Sequence, residues 1–307
     1  DMDSVGAAVG MACAARVHGK PVRVVVRKDR TLARELIDKM EAIEGNADLF
    51  IEPDEAMVAS DYNTLLIVVD TNRPDYVESP QLLESINKVA VIDHHRRAAS
   101  YIENFALNLH EPYASSASEL VSELLQYMVQ TSEIQREEAE CLLAGIYLDT
   151  KGFSIKTGVR TFEAAAYLRR LGAETSDVRK YFNTSLSDYQ QRIKLMASAE
   201  LYHGCAVAST NQMIEDINVV AAQAADELLN INGVAASFVM YETGRGVNFS
   251  ARSMGEMNVQ IIMESLGGGG HLTMAGAQLS DCTLESARQR LFEAIDDYLS
   301  KNPRPAK

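Results

Sequence analysis

Val89-Ala90-Val91-Ile92-Asp93-His94-His95 joins four small or branched apolar residues to an acid and two imidazoles. A run this short and this rich in Val and Ile reads as a strand buried on both faces. Val22 to Val26 and Leu65 to Val69 have the same character. Helical periodicity fills the gaps between them, so the first two-thirds of the chain is of the α/β class, a mostly parallel sheet with flanking helices. In such a sheet the carboxyl ends of the strands share one edge, and ligands bind there.

Three further motifs fit that edge: Asp1-Met2-Asp3-Ser4, Val69-Asp70 and Leu148-Asp149-Thr150. Each carboxylate follows an apolar run, except at Asp1, which opens a helix running to Val17. That helix has a small-residue face of Gly6, Ala7, Ala8 and Gly10, expected to pack closely on the sheet. Further helices are expected over about 118–149, 161–171 and 188–201. A lone Asp at a strand end usually caps a helix or closes a turn, and a lone His pair is usually structural. Four such motifs in one α/β unit point instead to a shared site. Carboxylate oxygen and imidazole nitrogen suit Mn²⁺ or a similar divalent ion. Two such ions with a bridging carboxylate activate water and neutralise charge on a phosphoryl group.

The length of 307 residues favours two domains. A second unit starts near Gly204, with strands at Cys205–Ser209, Val234–Tyr241 and Val247–Arg252. Helices are expected at Ile217–Leu229, Val259–Leu266 and Leu284–Leu299. Before the last of these comes Gly267-Gly268-Gly269-Gly270-His271, read as a flexible turn whose amides can approach an anion. Domain boundaries are set at 1–186 and 204–307, with 187–203 as a helical connector.

The net charge of −14 disfavours partners such as long nucleic acid, which needs a basic face. It does not disfavour a small anion, because metals invert the local field of a carboxylate cluster. Four scattered cysteines, Cys13, Cys141, Cys205 and Cys282, read as reduced thiols of a cytoplasmic protein. No apolar run approaches the roughly 18 residues of a membrane span.

Taken together, the four N-terminal motifs and Gly268-Gly269-Gly270-His271 followed by Ala275-Gly276 resemble the DHH/DHHA1 phosphoesterase family. The resemblance implies a DHH domain, a smaller α/β DHHA1 domain that holds the nucleotide, and two Mn²⁺ ions, with Mg²⁺, Co²⁺ or Fe²⁺ as alternatives. It implies Asp1 on the first metal, Asp70 bridging, and Asp3, His94 and Asp149 on the second. His95 would face the substrate phosphate, and Asp93 would orient an imidazole by hydrogen bond. The family's first motif also carries a His four residues before Asp1, so the natural protein is expected to extend upstream.

The segment from Phe249 through Arg252, Ser253, Gly255, Asn258, Gln260 and Met263 to His271 is similar to the membrane-anchored cyclic di-AMP phosphodiesterases of the GdpP type. That similarity implies hydrolysis of cyclic di-AMP to 5′-pApA by a water activated between two metals. Arg252, Ser253, Asn258, Gly268, Gly269, Gly270 and His271 would hold the other half of the dinucleotide. It further implies a cytoplasmic domain of a protein anchored at the inner face of the bacterial membrane, and a homodimer by analogy. Two alternatives remain open: a short-oligonucleotide phosphodiesterase or single-strand exonuclease of the same superfamily, and a non-catalytic cyclic-dinucleotide sensor.

Overall fold

Apolar runs bounded by polar residues become the strands and helices of two compact units, Asp1–Asn183 and Thr184 onward. The computed structural model describes residues 1–97 and 99–302; the last five residues of the expected second domain lie outside the described residues. Each unit has a core of its own.

In the first unit the order is α1 (Met2–Val17), β1 (Val24–Val25), α2 (Arg34–Glu41), β2 (Phe50–Ile51), α3 (Pro53–Ala59), β3 (Leu65–Val69), α4 (Pro80–Ser85), β4 (Lys88–Asp93), β5 (Leu107–His110), α5 (Ala117–Met128), α6 (Arg136–Asp149), α7 (Val159–Arg170) and α8 (Thr175–Lys180). All strand pairs are parallel: β1 with β2, and β3 with β4 with β5. The register sets Val69 beside Ile92 and Asp93 beside His110, so three strands end at one edge with polar residues. The Val22–Val26 run shortens to the two residues of β1.

Helix α1 is buried nearly all round and packs mainly on α5 and α6, with little contact to β1 or β3. Its small-residue face therefore serves helix–helix contact and not the expected contact with the sheet. The helix expected over 118–149 is divided at Val129, because Gln130 and Gln135 each start a new capping box and a short 3₁₀ turn intervenes. Leu120, Val121, Leu125, Leu142, Leu143 and Ile146 are almost completely buried between these helices. Each contributes about 1.5–3 kcal/mol by its removal from water.

The second unit runs α9 (Leu186–Ala197), β6 (Glu200–Tyr202), β7 (Cys205–Thr210), α10 (Ile217–Leu228), β8 (Ala236–Thr243), β9 (Gly246–Ser253), α11 (Val259–Ser265), β10 (Gly269–His271), β11 (Met274–Ser280) and α12 (Leu284–Lys301). Its six strands lie in the order β10-β11-β9-β8-β7-β6, with β7 and β8 parallel and the other pairs antiparallel. Val247, Phe249 and Ala251 face a core shared with α11 and α12. By the alternation of a strand, Asn248, Ser250 and Arg252 face the opposite side. The segment read as a connector is packed in this unit, where Leu195 of α9 is buried among Ala206, Ala208 and Val220.

Candidate metal centre and anion-binding face

The sheet edge of the first unit gathers its site from strand ends and helix ends. Asp70 follows β3 in the left-handed region at φ 63°. Asp tolerates that region better than most residues, and strain of this kind persists only where the surroundings fix it. Its amide donates to Ile92 O, holding it to β4. Asp93 is the last residue of β4, with His94 and His95 directly after it. Asp3 lies in the first turn of α1. Asp149 closes α6, where the helix expected over 118–149 ends, and does not follow a strand.

Two groups of donors converge. Asp70, His94 and His95 each present an atom within 4.8 Å of the others, and so do Asp3, His94 and Asp149. His94 Nε2 lies 3.3 Å from Asp70 Oδ1, 3.2 Å from Asp149 Oδ2 and 3.8 Å from Asp3 Oδ2. His94 Nε2 and Asp70 Oδ1 are nonetheless buried without a hydrogen-bond partner among the described residues, their mutual approach being out of line. Buried polar atoms without partners are costly. A divalent cation satisfies both, and the oxygen and nitrogen donors suit it, so the residues fit the metals that the sequence implies.

Without a cation the acids repel one another. Burial, followed by the charges of Asp70 and Asp149, pushes Asp3 up to about 7, against a hydrogen bond from Ser118 and the nearby His94. Burial also raises Asp149, opposed by His94. Burial alone would lower His94, but Asp70 and Asp3 beside it raise it. His95 is raised chiefly by its hydrogen bond to Asp93. Burial works to raise Asp93, yet hydrogen bonds from His95 and Asn72 hold it below its ordinary value.

Asp93 Oδ1 accepts from His95 Nδ1 at 2.9 Å and from the His95 amide at 3.2 Å. Asp93 therefore orients the ring of His95, which is about half exposed. Asp1 falls in neither donor group among the described residues. Its carboxylate caps α1, accepting from the amides of Asp3 and Ser4. The Ser4 hydroxyl sits 2.6 Å from Asp70 Oδ2 and 3.2 Å from Asp1 Oδ1, so it lies between these two acids.

Sequence reasoning missed the groups that hold the acids in place. The N-terminus of α5 donates the amides of Ala117 and Ser118 to Asp3 at 2.7 and 2.8 Å. A helix N-terminus favours a negative charge, and Ser115-Ser116 before Ala117 was a readable cap signal. Asn72 donates to Asp93, and His110 Nε2 lies 2.5 Å from His95 O. His110 was findable only with β5, whose half-exposed run was not read as a strand.

In the second unit the Gly run is a turn at Gly267 and enters a strand at Gly269. Gly269–His271 pair with Met274–Gly276 as β10. A Cβ at Gly268 would lie 2.1 Å from Gly276 O, and one at Gly270, where φ is 148°, 2.5 Å from Ala275 Cα. Close strand approach explains both glycines. Gly269 is different, because an added Cβ there meets nothing within 4 Å. Arg252, Met274 and His271 are in register across β9, β11 and β10, so Arg252 and His271 share one face. Ser253 and Asn258 also bond locally: Ser253 Oγ donates to Met257 O at 2.6 Å, and Asn258 Oδ1 caps α11 through the Gln260 amide.

Comparison with known proteins agrees with these two halves. Residues 1–146 match the model of the DHH family N-terminal domain, and residues 210–301 match the DHHA1 domain. The cyclic-di-AMP phosphodiesterase GdpP of Geobacillus thermodenitrificans is 47% identical over 305 residues, covering 97% of this chain and 46% of GdpP. The chain thus spans about half the length of that relative. The bifunctional oligoribonuclease and PAP phosphatase NrnA of Thermus thermophilus is 25% identical over 306 residues, covering 98% of this chain and 88% of NrnA. A crystal structure of an exopolyphosphatase-related protein from Bacteroides fragilis has the same fold, with a TM-score of 0.79 at 21% identity over 99% of this chain and 91% of that one. With one domain model on each of its two compact units, the chain belongs to the DHH family and carries a DHHA1 domain.

Proposed function

We propose that this chain is the catalytic portion of a phosphodiesterase that opens cyclic di-AMP to 5′-pApA. The observation that carries the reading is the pair of donor groups meeting at His94, Asp70-His94-His95 and Asp3-His94-Asp149, with two buried polar atoms lacking partners. When bound there, two divalent ions, Mn²⁺ by preference, supply an activated water and neutralise charge developing on the phosphoryl group. The residues do the rest. Asp3, held by α5, would hold one ion together with Asp149 and His94. Asp70 would serve both ions and Asp1, linked to it through the Ser4 hydroxyl, the other. His95, oriented by Asp93, is exposed enough to meet the substrate phosphate. Arg252 and His271 bind and orient the second half of the dinucleotide, so binding is spent on alignment.

The choice of cyclic di-AMP rests on the 47% identity with GdpP. The 25% identity with NrnA across nearly the whole of both chains favours, as the second reading, hydrolysis of short linear oligonucleotides. The same relationship to GdpP supports a whole protein anchored at the inner face of the membrane; among the described residues no helix is long and apolar enough to cross one.

Chromatography of products from Mn²⁺-loaded protein given cyclic di-AMP, cyclic di-GMP or pApA tests the proposal. Fast conversion of cyclic di-AMP to pApA that stops there is the expected outcome. AMP released mainly from pApA selects the oligonucleotide reading. Tight binding of cyclic di-AMP without turnover makes the domain a sensor.

A further inference from the structure

We propose that Asp226 on α10 is a positioning residue for substrate binding, acting through Arg252. The inference rests on the reading of Arg252 as a ligand of the substrate's second half. Arg252 is only 9% exposed, although a guanidinium is among the groups most costly to bury unpaired. Two edges of the group are tied down within the protein. Nη1 donates to Ala251 O at 2.9 Å and to Ser250 Oγ at 3.3 Å. Nε forms an ion pair with Asp226 Oδ1 at 3.3 Å, out of line for a hydrogen bond and otherwise without a partner. No described residue accepts from Nη2, so one edge of the planar fork is left for an anion.

The sheet explains where that edge lies. Arg252 projects to the side opposite the α11 and α12 core, on the face that also carries His271. Across β11 the two residues are two strand spacings apart, roughly 10 Å. Helix α10 borders this face, with Ser237 Oγ of β8 donating to Ala225 O directly before Asp226. That bond fixes the helix turn from which Asp226 reaches Arg252. A carboxylate on one side of a guanidinium removes the cost of burying its charge and fixes its plane. A bidentate anion site needs that plane fixed in advance.

Steady-state kinetics on cyclic di-AMP with Asp226→Ala, Asp226→Glu, Arg252→Ala and the double variant test this. Glu227→Gln is the control, since Glu227, next to Asp226 on α10, pairs with Arg192 of α9 at 2.7 Å. Asp226→Ala is expected to raise KM about tenfold with a smaller effect on kcat, a typical size for coupled neighbours. Asp226→Glu recovers most of the loss, and Glu227→Gln changes neither constant. In the Arg252→Ala background the Asp226→Ala effect disappears. Equal KM effects of Asp226→Ala with and without Arg252 overturn the proposal, as does a silent Asp226→Ala beside a strong Arg252→Ala. A silent Arg252→Ala overturns the reading of Arg252 as well, whereas no turnover by the unaltered chain overturns the proposed function.

Discussion

Asp3 concentrates the electrostatic conflict of the site in one carboxyl group. Unfolded, it titrates near 3.8; folded and metal-free, it titrates at about 7. Between those values the folded state keeps a proton that the unfolded state releases, so stability falls as pH rises from about 4 to 7. The raised His94 and His95 act in the same sense, because their contribution is present below 6.5 and is lost as pH rises through their folded values. A cation replaces the proton, and its stabilisation must therefore grow with pH. Thermal unfolding in chelator is expected to show a midpoint that drops from pH 5 to pH 8, with Mn²⁺ reversing the drop; a chelated protein most stable at pH 8 contradicts the coupling. His95 offers a second test. Asp93→Asn removes the chief cause of its elevation, so its NMR titration should move down toward 6.5.

Elements position these residues through close contact. Gly145 of α6 faces α1 so tightly that a Cβ there would lie 2.2 Å from Ser118 Oγ and 2.7 Å from Asp3 Oδ1. Gly145→Ala must push α5 and α1 away from α6, at about 1–3 kcal/mol of overpacking, and it should weaken Mn²⁺ binding through the displaced Asp3. Urea denaturation and titration calorimetry check the two effects, and loss of stability with full metal affinity would separate the contact from the site. This layer was the least legible in the sequence. Asp70, Asp93, His94 and His95 were readable because short continuous apolar runs end at them. The α1 face was read as small but assigned to the sheet, since small residues do not say whether a strand or a helix approaches. Asp149 follows an apolar stretch that suits strand or helix equally, and only the capping boxes at Gln130 and Gln135 separate α5 from α6. The Gly run fooled composition for a related reason: strand approach, and not turn flexibility, requires glycine at 268 and 270.

At the scale of the molecule, the separation of cores has a thermodynamic consequence. The cluster that contains α1, α5 and α6 draws only on residues of the first unit, and the two clusters around the six-stranded sheet draw only on the second. Every residue of the two donor groups belongs to the first unit. A ligand stabilises the cooperative unit whose folded form binds it, in proportion to the logarithm of its concentration over Kd. Calorimetric unfolding should therefore resolve two transitions, and Mn²⁺ should raise the midpoint of one while leaving the other in place. A fragment starting at Thr184 should unfold with the midpoint of the insensitive transition and show no response to Mn²⁺. A single transition that moves as a whole with Mn²⁺ would mean that the two cores unfold as one, and the second unit would then gain stability from a cation whose donor groups belong to the first.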